Sequence, residues 1–497
     1  MMNVFDSLSG MLGLPADHLR LLFCVAATYP SAMLYRRLPP GSPTSRHLFS
    51  IAYTCFTMLY MLSSYVGFLH IGSTCLVSYL FVKYYRGPRM PWINFAIAMI
   101  SMSICHLDRQ FKGVHGDTKL DYSGGLMIVT VKLSSFGFNV HDGRGTPVTD
   151  YNRQMMIQEY PSPIQFAGWI CYYCGFLTGP SCEYMDYFRF TTIQLAGKEK
   201  EPEGRKRAAF KVLRLALCLA AYMIVFGPYF HSHVGLEDHY FAKPFYQRMF
   251  LVAAGSLTTR IKYYTVWKLS EGSCILSGLG YNGLDSVTGK PLWNRLNNAD
   301  IKAVEFGQSL SIITRGWNIG VNTWLRHYVY LRVSPPGKKP SSAAVMWTYV
   351  MSSLWHGFHP GYYLFFINIG LYQVVGRMAR RSLRPLAFTP DGKQAIPHRK
   401  RMYDIAGLLG SQFAVDMLVS AFDLLTFSNV WRVWSGIHFI QLWVLLAAYL
   451  IARVLEPVLL SVQKKRMVNA GIGKTAESKV DEVVDELAVN KMAGKME

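Results

Sequence analysis

Between Ser341 and Val375 the chain carries no Asp, Glu, Lys or Arg over 35 consecutive positions, and Pro360-Gly361 sits inside that stretch. The run is longer than one membrane crossing needs, since about 20 apolar residues span the hydrocarbon core. Backbone amides in lipid must find partners within the chain, so the run is expected to be helical. Proline removes a helix hydrogen bond and glycine weakens the next turn, so a break at Pro360-Gly361 is also expected. The two halves would meet around His356–Tyr362. Broken helices at membrane depth are tolerated where they line a cavity, which is where function concentrates.

The rest of the chain agrees with a membrane setting. Leu48–Leu69, Leu215–Phe230 and His438–Ala452 are nearly free of charge and lack strand alternation. Charged residues make up 16% of the chain and hydrophobic ones 51%, whereas a soluble domain carries about 25% charge. The expectation is an all-α integral membrane protein, a multi-pass helical bundle of about ten or eleven segments. They are placed near 20–35, 48–69, 71–84, 92–106, 124–139, 164–181, 212–230, 246–268, 343–373, 406–427 and 433–460. Leu19–Leu34 lacks a basic leader and a cleavage site, so it reads as a retained first helix or re-entrant segment. Residues 1–463 are expected to form one polytopic domain, and 464–497 an exposed tail with a weak amphipathic helix at Glu477–Leu487. Gly197–Arg207 reads as a solvated loop, and Gly272–Arg315, with GLGYNG, as too irregular to face lipid.

The formal charge of +21 bunches at Arg36–Arg46, Lys83–Arg89, Lys198–Arg214, Arg377–Arg401 and Lys464–Arg466, each beside an apolar segment. Nucleic-acid binding would need a soluble basic surface, so no nucleic-acid partner is expected. The clusters fit the positive-inside rule and mark the cytosolic side; attraction of an anionic substrate such as coenzyme A is the minor reading. Nine cysteines, scattered and odd in number, do not make a disulfide framework. Cys171 and Cys174 have redox spacing, but they lie in an apolar segment and read as packing residues.

Two places could carry chemistry. An ionisable residue within a membrane segment is costly, which singles out His356. With an unperturbed pKa of about 6.5, a neutral imidazole can take a proton from an alcohol. A core histidine bonded to a neighbouring carbonyl is the other reading, and position alone leaves both open. His359 lies three residues on, but with no acidic or cysteine ligand nearby no metal is expected. The second place is Trp317–Arg332. Read as one helix, it puts Asn318, Asn322 and Arg326 on one face, and Trp317, Val321, Trp324 and Tyr328 on another. Such a helix is either merely interfacial, or its asparagine amides orient a hydroxyl or an oxyanion. There is no G-x-S-x-G elbow, P-loop or dinucleotide fingerprint. Catalysis by His356 would therefore be direct transfer between two bound substrates.

Trp355-His356-Gly357 followed by Pro360-Gly361-Tyr362, with Trp317-Asn318 about 40 residues upstream, resembles the membrane-bound O-acyltransferases, and within them the eukaryotic lysophospholipid acyltransferases. The resemblance extends through 121–143, 161–187 and 260–283. It implies that 1–463 is a polytopic catalytic domain around a reaction chamber in the endoplasmic reticulum membrane. Acyl-CoA would be a co-substrate, a lysophospholipid the acceptor and membrane lipids its surroundings, with no bound cofactor. By the same resemblance His356 and Asn318 are the catalytic pair. Trp317, Asn322, Trp324, Arg326, Trp355, His359 and Tyr362 are implied substrate contacts, and Lys262, Tyr263, Trp267 and Glu271 implied lining residues. A sterol, diacylglycerol or protein acceptor is the alternative within the enzyme class. A lipid transporter gated at Pro360 is the rival outside it, and the lack of internal symmetry counts against that rival.

Overall fold

The computed structural model describes residues 2–12, 15–113, 121–195, 202–333 and 341–472. The amphipathic helix expected at Glu477–Leu487, most of the tail and residues 197–201 of the expected loop lie outside them. The described chain is helical, and its only extended pairing is three isolated bridges. It is an all-α, multi-pass membrane protein. Five described helices are long and apolar enough to cross a membrane: Tyr65–Tyr84, Met90–Phe111, Arg205–Phe226, Pro397–Leu424 and Ile440–Asn469.

Several expected segments are divided differently. Pro43–Cys55 continues through a wider turn at Phe56–Met61, and a new helix starts at Tyr65; the break falls at Ser63, with φ 48°, rather than near residue 70. The segment expected at 164–181 is helical only over Pro163–Ile170, behind a capping box of Ser162 and Gln165. The carbonyls freed at its end are taken by the buried Lys132, whose Nζ donates to Trp169 O at 2.8 Å and Ile170 O at 3.2 Å. Phe245–Ser277 runs 33 residues, well past the expected end at 268.

The chain forms two compact units. The first holds Met1–Pro228, Arg260–Asp300 and Trp317–Tyr362. Its centre is the helix Ser123–Asp142, buried along nearly its whole length and packed on Met90–Phe111 and Tyr65–Tyr84. One buried polar chain ties these helices together: Ser78 donates to Asn94 Oδ1 at 2.7 Å, and Asn94 Nδ2 donates to Leu133 O at 2.6 Å. An aromatic core of Phe136, Phe166, Trp169 and Tyr184 fills the space beside it. Cys174 is buried in the same core, as a packing residue would be. Arg46, grouped by sequence with the topology signals, is only 1% exposed and donates to Leu195 O at 3.0 Å. It works as a helix-tying residue.

The second unit holds Tyr229–Thr259, Ile301–Gly316 and Tyr363–Glu497. Trp434 Nε1 donates to Ser420 Oγ at 3.1 Å, and Gln412 ties its helix to Val304 O at 2.7 Å. Ile440–Asn469 leaves most of its apolar surface uncovered, as a lipid-facing helix does. It continues through 464–469, where the tail was expected to begin, because Arg466 caps Pro385 O and Phe388 O at 3.2 and 2.8 Å.

Candidate active site

The uncharged stretch is broken, and the break is where the histidine lies. Helix Ser342–His356 ends on His356, and Pro360 opens the next helix, Pro360–Leu383. Proline is well suited to a first helical position, where its missing N–H has no partner to lose. The interruption itself is made by Gly357, whose φ of 125° and ψ of −166° are open to glycine alone. An added Cβ there would also meet the His106 ring at 3.1 Å. His106, on helix Met90–Phe111, places Nε2 3.1 Å from the carbonyl oxygen of Trp355. A carbonyl only accepts, so Nε2 carries the proton and caps one of the carbonyls exposed at the helix end. The Trp355 indole in turn donates to Met127 O at 3.1 Å. His356 therefore follows a residue pinned through both its backbone and its ring, and is partly buried, with its ring 4.6 Å from the Trp355 ring and 5.5 Å from that of Tyr362.

The segment 317–332 is not one helix. Asn318 adopts a left-handed conformation, φ 43° and ψ 59°, and caps a short helix, Ile319–Trp324. Asparagine is among the few residues that tolerate this region. From Leu325 to Tyr330 the helix widens, with Leu331 N–H bonding Arg326 O, an i to i+5 bond. The left-handed start and the wide turn both destroy the regular stripe. Trp317 lies before the cap, away from the face of Val321, Trp324 and Tyr328. Arg326 is exposed. Trp324 is buried, donates to Ser134 Oγ at 2.8 Å and stands 6.2 Å from the Trp355 ring. Trp324, Tyr328, Met351 and Trp355 share one apolar cluster, so the segment bearing Asn318 packs on the helix bearing His356.

Residues 126–420 match the membrane-bound O-acyltransferase family. The chain belongs to that family. It is 32% identical over 453 residues to a lysophospholipid acyltransferase of Schizosaccharomyces pombe, covering 89% of this chain and 88% of the relative. It is 30% identical over 449 residues to a lysophospholipid acyltransferase of Saccharomyces cerevisiae, with 86% and 72% covered. Lysophospholipid acyltransferase 2 of Arabidopsis thaliana is 32% identical over 376 residues, with 74% and 79% covered. This acyltransferase thus holds both candidate catalytic residues within the family-matching region.

The remaining candidates divide between support and surface in this membrane-bound O-acyltransferase. Trp267 and Tyr263 pack edge-to-face around Trp317, ring centres 5.0 and 5.8 Å away, together with Tyr264 at 5.5 Å. They steady the residue next to Asn318. Glu271, 4% exposed, accepts from Lys268 Nζ at 2.7 Å, which makes it one half of an internal ion pair. Lys262 is partly buried with its ammonium 5.7 Å from the Tyr263 ring. Asn322 is partly buried in the middle of the short helix, and His359 lies in the break, its ring 6.2 Å from Tyr362.

Beside the wide turn lies a carboxyl that the sequence did not single out. Glu183 accepts from Asn139 Nδ2 at 2.9 Å and from Tyr151 at 3.2 Å, and the Tyr328 hydroxyl lies 3.0 Å from it and 2.8 Å from Asn139 Oδ1. Burial pushes the Glu183 carboxyl up to about 7, although the Tyr328 hydrogen bond pulls the other way. The sequence reading also missed His106. The rule that singled out His356 applies to it equally, since it is a histidine inside an apolar segment.

Proposed function

We propose that this membrane-bound O-acyltransferase transfers a fatty acyl group from acyl-CoA to the free glycerol hydroxyl of a lysophospholipid. The acceptor class is supported by the relatives, which carry the name lysophospholipid acyltransferase and align over most of their length. The observation that carries the chemistry is the break after His356, where a histidine ends an uncharged helix with its ring beside those of Trp355 and Tyr362.

His356 accepts the proton of the lysophospholipid hydroxyl as its oxygen attacks the thioester carbonyl. The new C–O bond gives a tetrahedral oxyanion, which the Asn318 amide stabilises or orients. Collapse expels the CoA thiolate, and the proton on His356 neutralises it. Donor and acceptor are both long-chain molecules, and holding them in one geometry can remove about 7–11 kcal/mol of the barrier. General-base help adds typically about 10²–10⁴-fold. A thioester is already activated, so positioning and one base suffice. Placement in the endoplasmic reticulum membrane is part of the same proposal and rests on family resemblance.

The test is CoA release by the purified, detergent-solubilised protein given acyl-CoA and a panel of lysophospholipids. The expected result is CoA release that depends on the lysolipid and is matched by diacyl phospholipid. Release with a sterol or diacylglycerol but with no lysophospholipid would overturn the acceptor assignment, and no release with intact protein would overturn the reaction.

A further inference from the structure

We infer that Asn298 is a positioning residue, which caps the helix behind Asn318 and so leaves the Asn318 amide for the reacting groups; this rests on the catalytic role proposed for Asn318.

The first backbone N–H groups of any helix need outside acceptors, and asparagine at the N-cap is one of the best suppliers. Asn318 occupies that position before Ile319–Trp324, yet its side chain makes no capping bond. The donors are satisfied from elsewhere. Ile319 N–H bonds the Asn298 backbone carbonyl at 3.0 Å, and Gly320 N–H bonds Asn298 Oδ1 at 3.1 Å. One residue, 20 positions upstream, takes both of the first two donors. The left-handed backbone of Asn318 goes with this arrangement, because a self-capping residue takes up extended angles instead.

Asn298 is held firmly enough to do this. It is 3% exposed, and its neighbour Ala299 pairs with Trp317 in an isolated antiparallel bridge. Asn297 Oδ1 accepts from Ala299 N–H at 3.2 Å and from Lys268 Nζ at 2.7 Å. Lys268 is locked by Glu271, whose carboxylate accepts from its ammonium at 2.7 Å. The buried pair Lys268–Glu271 thus fixes the strap 297–299, and the strap fixes both sides of Asn318. Glu271, implied by resemblance as a lining residue, acts at one remove through this strap. Close approach of Asn298 Oδ1 also suits glycine at 320, where an added Cβ would lie 3.3 Å from that oxygen.

A double-mutant cycle on the purified protein tests the assignment, reading kcat, KM for both substrates and thermal midpoint for wild type, Asn298→Ala, Asn318→Ala and the pair. Asn298→Ala is expected to lower kcat about 10- to 100-fold with each KM within about twofold, as misplacement of a reacting group does. In the Asn318→Ala background the same change is expected to alter kcat by less than about twofold. Asn298→Ser, which keeps an acceptor oxygen, is expected to recover part of the loss and serves if the alanine variant does not fold. Equal losses of kcat in both backgrounds, or a fall in thermal midpoint with kcat unchanged, would overturn the positioning role. If Asn318→Ala keeps wild-type turnover while Asn298→Ala does not, the role of Asn318 fails and this inference with it.

Discussion

The two polar side chains assigned to the chemistry both sit at helix ends, but the ends are built differently. His356 closes a helix, and most of what shapes its turn is consecutive sequence: Trp355, Gly357 and Pro360. Asn318 opens a helix, and what shapes its turn comes from Asn298 and, behind that, Lys268 and Glu271. A locally encoded turn needs few outside braces, here His106 and the Met127 carbonyl, both acting on Trp355. A turn encoded at a distance needs a chain of them. The histidine end should therefore tolerate remote substitutions better, and the asparagine end should fail through residues that never touch substrate.

The largest effects are expected at the two residues themselves. His356→Ala is expected to lower acyl transfer by about 10²–10⁴-fold, the usual size of general-base assistance, with membrane insertion and thermal midpoint close to wild type. Asn318→Ala is expected to cost about 10²–10³-fold, as loss of one oxyanion donor does. Turnover measured beside a size-exclusion profile separates these from misfolding, which would instead favour the core-histidine reading. Gly357→Ala comes next. It forces a side chain onto φ 125° and into the His106 ring, so both turnover and thermal midpoint should fall. A variant with unchanged midpoint would mean the turn is softer than it looks.

At His106 a smaller effect is expected. His106→Leu removes one buried hydrogen bond, about 1 kcal/mol, and leaves the Trp355 carbonyl without its donor. A several-fold drop in kcat with KM little changed is expected, and His106→Gln should restore part of it. An equal drop in KM and kcat for both variants would argue against a brace on the turn.

The smallest effect is at Glu183, which faces Asn139, Tyr151 and Tyr328. Its carboxyl sits near 7 in the folded protein, above the ordinary value of 4.5. The fold thus favours the protonated form, so this contribution to stability is full below about 4.5 and is lost as pH rises through about 7. The wild-type thermal midpoint is expected to decline between pH 5 and pH 8, and Glu183→Gln to flatten that decline. Parallel curves for the two proteins would remove Glu183 as the cause.

What was legible in the sequence follows the same division. The membrane class, the helical fold and the break beside His356 are all written in short windows: a charge-free run, a proline, a glycine. The break falls one turn earlier than Pro360-Gly361, because proline is comfortable as a first helical residue and Gly357 alone takes the strained angles. The stripe read across Asn318, Asn322 and Arg326 assumed a continuous helix. Neither the left-handed cap nor the wide turn at Leu325–Tyr330 leaves a mark in periodicity. Asn298 was invisible for a related reason. Its partners, Ile319 and Gly320, lie more than 20 residues downstream, and its neighbours make it look like part of an irregular polar loop.

The central claim, that two separately built helix ends serve one reaction, is tested most directly by combining His356→Ala with Asn318→Ala and measuring acyl transfer to a lysophospholipid by all four proteins. Residues that act as a unit are strongly non-additive. The double variant is therefore expected to be no slower than His356→Ala alone within about threefold. Losses that multiply, so that the double variant falls by the product of the two single effects, would show that Asn318 and His356 act independently and would contradict the account.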